Sequence, residues 1–343
     1  MPTALQTAAP SVPWSPRPPV SSSSSPPPPL SPSPPLLPTR TCPICETSTE
    51  STVFAEANLN RADLDEFAFA SRKTPEYMHH RLMACAGCDL LYASPLPERD
   101  ELARAYLDAA FDSGEEAACA ARTYARYLPD LRRELPNLDG VLDIGAGDGV
   151  FLRQLLDAKF KSVIGVEPSA APIAAAEPSL RPLIRQGIFR EEDFEPDSLS
   201  LITCFQTLEH VPDPLEMCRA AWRLLKPGGA VFFVTHDRRA LSAKLLGRKS
   251  PIFDIEHLQL FSRQSMQSML NRAGFTRIRL HRLLNRYPIH YWMKLLPFPA
   301  ATKRRLIPRL KASRLGKGTV PFFAGNLVAI ALKPRKHTPA CCA

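Results

Sequence analysis

The chain has no acidic residue after Glu256, although its 343 residues carry 34 Asp and Glu against 43 Lys and Arg. The net charge of +9 is therefore unevenly placed. A basic C-terminal quarter suits a phosphate, a nucleic acid or an anionic membrane surface, and it also suits a plain solvated face. No apolar run approaches the roughly 20 residues of a membrane-spanning helix, which excludes a helical transmembrane protein. Nine cysteines are too few and too irregularly spaced for a disulfide framework in a chain of this length. A reducing compartment, the cytoplasm, is the expected location. Glycine is scarce, with 15 residues, yet Gly145, Gly147 and Gly149 fall within one short stretch.

Proline and serine are abundant where a core cannot form. Residues 1–40 include Ser21 to Ser25 followed by Pro26 to Pro29. This composition cannot bury enough apolar surface to offset its ordering entropy, so it reads as a disordered leader. It lacks the amphipathic Arg-rich helix of a transit peptide and the apolar core of a secretory signal.

Residues 41–95 contain two Cys-x-x-Cys knuckles, Cys42 with Cys45 and Cys85 with Cys88. Each knuckle can place two thiolates on one tetrahedral ion, and together they suit a structural zinc with no open position for chemistry. The 39 intervening residues exceed the usual ribbon spacing, and two unrelated thiol pairs are the alternative. Residues 96–137 read as a helical linker or cap, with one helix expected from about Glu115 to Leu135.

From residue 138 the pattern alternates. Strands are expected at 139–144, 162–167, 183–185, 199–205 and 230–235, separated by helices at 149–159, 170–176 and 214–225. A turn is expected at Lys226-Pro227-Gly228-Gly229. An amphipathic helix from Arg263 ends at Gly274, and a strand covers 275–283. Such alternation predicts a parallel α/β sheet covered on both faces. A core of 138–284 is followed by a basic and aromatic cap at 285–320. Asn326 to Leu332, within 321–333, supplies a final strand, and 334–343 form a tail. The cap's aromatics read as the core of a small helical unit. Its mixture of aromatic and basic residues also describes an interfacial element touching anionic lipid, which makes peripheral membrane contact through 285–320 an expectation to test.

The stretch Val141-Leu142-Asp143-Ile144-Gly145-Ala146-Gly147-Asp148-Gly149 runs from a buried strand through a side-chain-free turn into a helix. Backbone N–H groups at that helix start would face any ligand in the turn. The spacing is neither Gly-x-G-x-x-Gly nor a Walker A loop. Glu167, 18 residues beyond Gly149, ends the next strand, where a carboxylate can accept hydrogen bonds from ribose hydroxyls.

With these residues assembled, 139–283 resemble a class I S-adenosylmethionine-dependent methyltransferase. The matching pieces are Asp143 to Gly149, Gly165-Val166-Glu167-Pro168, Leu208-Glu209-His210-Val211 with Pro214, and Leu224 to Gly229. The resemblance implies a Rossmann-like seven-stranded sheet with an antiparallel last strand and an S-adenosyl-L-methionine cofactor. It implies that Asp143, Gly145, Gly147 and Gly149 border the cofactor, that Glu167 holds its ribose, that Ile188 and Phe189 lie by the adenine, and that Gln206 lines the methyl-donor pocket. The cysteine domain followed by Leu90-Leu91-Tyr92-Ala93-Ser94-Pro95 is similar to a subset of bacterial small-molecule and sugar methyltransferases. Two departures stand out. Leu199-Ser200 occupies the place of the usual Phe-Asp, and the 60 residues after Leu283 cannot supply the large C-terminal domain of the sugar enzymes.

Methyl transfer from a sulfonium is an in-line displacement in which positioning supplies much of the rate. Where the acceptor must lose a proton, His210 is the first candidate base, with Glu209 to orient it or act itself. His257 is the second candidate and His236 a third. Three functions stay open at this level. The first is methylation of a small-molecule acceptor. The second is RNA methylation using the knuckles and basic C-terminal region. The third is a non-catalytic cofactor-binding scaffold.

Overall fold

In a computed structural model, the described residues are 40–46, 51–60, 69, 75, 77–98, 102, 104, 106–107, 110–111 and 113–335. The expected leader (to residue 39) and tail (from residue 336) lie outside them. Residues Leu37–Ala343 form one compact unit. Among the described residues, no helix is long and apolar enough to cross a membrane.

Seven strands build the main sheet. They are β4 (Asp139–Ile144), β5 (Lys161–Glu167), β6 (Ile184–Gln186), β7 (Leu199–Phe205), β8 (Leu225–His236), β10 (Thr276–Arg282) and β13 (Asn326–Leu332). Their order is β10-β13-β8-β7-β4-β5-β6, and β13 is antiparallel to both of its neighbours. β13 reads Asn-Leu-Val-Ala-Ile-Ala-Leu and is buried at every position, as an apolar run covered on both faces should be. The fold is a Rossmann-like mixed sheet: the alternation predicts its parallel strands, and the antiparallel β13 is what the resemblance implies.

Side-chain alternation along the central strands separates two apolar layers. Val141, Leu201, Phe232 and Val234 pack with Phe151 and Leu155 of helix Val150–Asp157 and with Tyr124 of helix Gly114–Tyr124. Leu142, Ile202, Cys204, Val231 and Phe233 pack with Leu215 and Cys218 of helix Pro214–Leu224 and with Met266 and Met269 of helix Arg263–Arg272. Period-two strands thus join two amphipathic helix layers into one core.

β4 pairs with both β5 and β7. The chain proceeds outward on one side through β5 and β6, then returns to the other side through β7 and β8. The loops leaving β4 and β7 consequently diverge at their carboxyl ends. That crevice is where open α/β sheets hold ligands.

Three expectations change. The helix expected over 115–135 is interrupted at Ala125–Tyr127, a three-ten turn placed just before Pro129 at the start of helix Leu128–Glu134. Proline lacks the N–H that would continue the ladder. The Lys226–Gly229 turn lies inside β8 and does not precede it. Four residues bulge between the pairs Leu199–Leu225 and Leu201–Ala230, and Gly228 N–H is taken by Lys333 O at 3.0 Å. The 285–320 segment is more than helical. β11 (Asn285–Pro288) pairs with β12 (Thr319–Phe322), and between them lie helices Ile289–Leu295, Ala300–Ala312 and Arg314–Lys317.

The cysteine segment belongs to a second sheet, ordered β1 (Ser51–Ala55), β2 (Leu82–Cys85), β3 (Leu91–Ala93) and β9 (Gln259–Leu260). Its fourth strand comes from far along the chain. That pairing draws the loop 250–258 over the crevice.

Candidate active site and cysteine cluster

A cavity of about 1010 Å³ occupies the crevice. One end is made of backbone. Gly145 has φ +76°, and a Cβ there would lie 2.1 Å from Thr207 Oγ1, so no larger residue fits without moving the β7 loop. Gly147 N–H donates to Glu167 Oε2 at 2.9 Å, and Ser169 N–H donates to Oε1 at 2.9 Å. A Cβ on Gly147 would meet nothing within 4 Å, so that glycine leaves open space. Each Glu167 oxygen keeps further lone-pair capacity beyond its one backbone donor. Burial pushes the Glu167 carboxyl up, and the two backbone donors oppose that shift.

Asp143 is 2% exposed and accepts from Thr203 Oγ1 at 2.6 Å. Burial raises its pKa to about 7. Gln206 sits in the left-handed region at φ 53°, a costly conformation for a side-chain-bearing residue. Its N–H is held by Val234 O at 2.6 Å. Ile188 and Phe189 line the same cavity, Ile188 largely exposed and Phe189 stacked near Phe194. Gly149 is the exception among the expected cofactor residues. It starts the helix at φ 72°, does not line the cavity, and a Cβ there would press on Ile184.

The other end is made of side chains. His210 places Nε2 2.9 Å from Gln206 O and Nδ1 2.7 Å from Tyr106 Oη. Nδ1 also lies 3.1 Å from Glu256 O, so each ring nitrogen faces a carbonyl; we assign the proton to Nε2, toward the nearer carbonyl, which lets Tyr106 donate to Nδ1. Burial, then the neighbouring carboxylates of Glu256, Asp254 and Glu209, push the Tyr106 phenol well above its usual range. His257 is 7% exposed and fixes its own proton on Nδ1, 2.8 Å from Ile252 O. Its ring centroid is 5.1 Å from those of both His210 and His236. His236 is held by Asn326 Oδ1 at 3.2 Å, and burial lowers its pKa to about 4. The three candidate histidines therefore form a row along the cavity.

Glu209 is placed differently from the expectation. It is fully buried, does not line the cavity, and accepts His236 N–H on Oε1 at 2.6 Å. Burial raises its pKa to about 8. It ties the β7 loop to the end of β8 and makes no contact with substrate space.

Sequence reasoning missed the carboxylate of Glu256 and underused Tyr106. The adjacency of Glu256 to His257 was the available signal for the first. Nothing in the sequence shows that Tyr106 reaches His210, 104 residues away. Tyr124, Phe205, Tyr287, Tyr291 and Trp292 give the cavity an aromatic wall, the last three from the cap.

Outside the cavity, Cys42, Cys45, Cys85 and Cys88 bring their sulfurs within 4.8 Å of one another. Cys42 and Cys88 are 3.6 Å apart, and Cys45 and Cys85 are 3.8 Å apart. These distances are far beyond a disulfide bond. The Cys88 thiol, donating to Cys42, lowers the Cys42 pKa to about 5.

Residues 115–280 match a family described as a methyltransferase domain. A ubiquinone biosynthesis O-methyltransferase of Pseudomonas putida is 36% identical over 107 residues, covering 29% of this chain and 44% of the relative. A protein of the same name from Pseudomonas fluorescens is 35% identical over 116 residues, covering 31% and 48%. The chain spans about half the length of the curated relatives it matches. A solved S-adenosylmethionine-dependent methyltransferase from Archaeoglobus fulgidus aligns with TM-score 0.44 at 16% identity, covering 69% of this chain and all of the other. Residues 115–280 thus match a methyltransferase-domain family, and they lie within a chain whose main sheet has Rossmann-like order.

Proposed function

We propose that the chain transfers a methyl group from S-adenosylmethionine to an oxygen of a small, aromatic acceptor. One observation carries the reading. A single cavity has the Gly145–Gly147 loop and the pinned Glu167 carboxylate at one end, and an assembly of tyrosine, histidines and carboxylate at the other. The names of the Pseudomonas relatives support oxygen as the acceptor atom.

The residues fit the cofactor. Gly147 leaves open space beside the loop, and Glu167 retains lone pairs for two ribose hydroxyls. The cofactor supplies an electrophilic methyl carbon on a sulfonium. Ile188 and Phe189 would flank the adenine, and Gln206 would border the methyl group. The aromatic wall would hold the acceptor ring and exclude water. His257, with its proton fixed on Nδ1, would take the acceptor's proton on Nε2. His210, already accepting from Tyr106, would position that hydroxyl at the cavity wall.

Calorimetric titration with S-adenosylhomocysteine should show one site per chain. Radiolabelled methyl from S-adenosylmethionine should then appear on members of a panel of hydroxylated aromatic compounds. A folded protein that binds neither the methyl donor nor its demethylated product would sink the reading.

We also infer that the four cysteines hold a structural zinc. Tetrahedral zinc with bonds of about 2.3 Å places its sulfurs roughly 3.75 Å apart. The observed 3.6 and 3.8 Å pairs bracket that spacing. Elemental analysis should return zinc at this cluster, and Cys42→Ser with Cys85→Ser should remove it and lower the Tm. Retained zinc in that double variant would refute the assignment.

A further inference from the structure

We propose that His210, Glu256 and His257 form a second cation site, at the acceptor end of the cavity, for a divalent first-row cation. One donor atom from each of the three lies within 4.8 Å of the other two. His210 Nδ1 is 3.8 Å from Glu256 Oε2. Two imidazoles and a carboxylate are the donor set that suits zinc, iron or manganese.

The surroundings prepare these groups for that task. Ligating histidines characteristically donate their second ring N–H to a carbonyl or carboxylate, which fixes the tautomer. Both can do so here. With its proton assigned to Nε2, His210 donates to Gln206 O at 2.9 Å and keeps Nδ1, 3.1 Å from Glu256 O, as its electron-pair nitrogen. His257 donates from Nδ1 to Ile252 O at 2.8 Å, which leaves Nε2. The Tyr106 hydroxyl now lies on His210 Nδ1 at 2.7 Å, but it has a second acceptor, Glu256 O, at 3.3 Å. It can turn to that carbonyl when a cation takes the ring nitrogen. Ligand atoms in a tetrahedral site with bonds of about 2.1 Å sit roughly 3.4 Å apart, so loading draws the three groups inward.

Charge points the same way. Asp254 and Glu256, both lining the cavity, are 3% and 8% exposed. Among the described residues, Arg190, next to the adenine-side residues Ile188 and Phe189, is the only Lys or Arg lining the cavity. Three protein ligands leave an open position, and that position faces the cavity.

The binding of the cation stands on its own, while its role in the reaction rests on the methyl-transfer reading. In that reading a bound cation would lower the pKa of the acceptor hydroxyl, which would enter as its oxyanion after releasing its proton to bulk solvent. The oxygen electron pair then forms the bond to the methyl carbon as the carbon–sulfur bond breaks, and its electrons stay on sulfur. In the loaded site the histidines would hold the cation, and the proton-accepting role of His257 would belong to the cation-free site.

Manganese(II) is the probe, titrated into the full chain and counted by electron paramagnetic resonance, because the cysteine cluster prefers softer ions. The expected result is one bound manganese per chain, with spin-echo modulation from imidazole nitrogen. Glu256→Gln should weaken binding at least tenfold, and His257→Ala should weaken it and reduce the nitrogen modulation. Titration of S-adenosylhomocysteine into the same samples reports the fold and the donor end. Normal product binding with no bound manganese overturns the cation site alone. Manganese binding unchanged in both variants also overturns it. Absent product binding in folded wild-type protein overturns the methyl-transfer reading instead.

Discussion

The two ends of the cavity are built in opposite ways. The donor end is local: Asp143, Gly145, Gly147, Glu167 and Ser169 come from two adjacent parallel strands and the loops that leave them. Much of its recognition surface is main chain, and its key carboxylate is pinned by two backbone donors. The acceptor end is gathered from four distant segments. Tyr106 precedes the sheet, His210 follows β7, Glu256 and His257 arrive with the strand that joins the cysteine sheet, and Tyr287, Tyr291 and Trp292 come from the cap. A backbone-built site tolerates little variation because a glycine or a register cannot be replaced piecemeal. A side-chain-built site can be re-specified by changing loops.

That contrast can be broken most sharply at Glu167. Glu167→Ala removes the acceptor for ribose hydroxyls and orphans two N–H groups. At about 1.5–3 kcal/mol for each charged hydrogen bond, S-adenosylhomocysteine affinity should fall on the order of 100-fold by calorimetry. Unchanged affinity would show that the donor end is organised otherwise.

Gly145→Ala should follow in size. Its Cβ meets Thr207 Oγ1 at 2.1 Å in a backbone conformation that disfavours side chains. Overpacking of this kind costs about 1–3 kcal/mol, measured as a lower urea midpoint, with weaker product binding. Pairing it with Thr207→Ser should recover part of the stability, because one of the crowding atoms is Thr207 Cγ2.

Tyr106→Phe tests the acceptor end. It removes the donor to His210 Nδ1. Methyl transfer should fall by about tenfold, the loss of roughly one buried hydrogen bond in the reacting geometry. S-adenosylhomocysteine affinity should stay within about threefold, since the loss is less than about 1 kcal/mol at the donor end. A large loss of donor affinity would erase the distinction between the two ends.

The smallest effect concerns pH. Burial raises Glu209 from 4.5 to about 8, so the native state holds a proton that the unfolded chain releases. Its contribution to stability is fully present below pH 4.5 and is lost as pH rises toward 8. Glu209→Gln keeps an oxygen for His236 N–H. The Tm of the variant relative to wild type should therefore climb between pH 5 and pH 8, by a few degrees. A constant difference across that range would place the proton elsewhere.

The legibility of the chain follows the same division. β4, the glycine loop and Glu167 are contiguous or one strand apart, and period-two alternation identifies such strands directly. β7 falls at Leu199–Phe205 as alternation predicts. The Lys226–Gly229 segment misled because proline and glycine signal a turn, whereas the flanking pairs of Leu225 and Ala230 with β7, and backbone bonds of Gly228 and Gly229 with Lys333, keep it in the strand as a bulge. Glu209 misled for a different reason. Its neighbour His210 faces the cavity, but in a three-ten turn adjacent side chains point apart, and Glu209 turns inward to His236 N–H. The cysteine knuckles were legible as a group of four, and the structure brings their sulfurs together. Their sheet partner β9 was not, because a two-residue strand carries no periodicity.

By itself the sequence determined the alternating α/β architecture, the glycine loop with its carboxylate, and the four-cysteine set. Each is written in short-range spacing, where chain geometry leaves few options. Only the tertiary structure decided which histidines share a cavity, which carboxylate stands beside them, and what wall faces them. Those choices depend on contacts between residues 21 to 104 positions apart, from His236 with His257 to Tyr106 with His210, and no local pattern encodes such a contact.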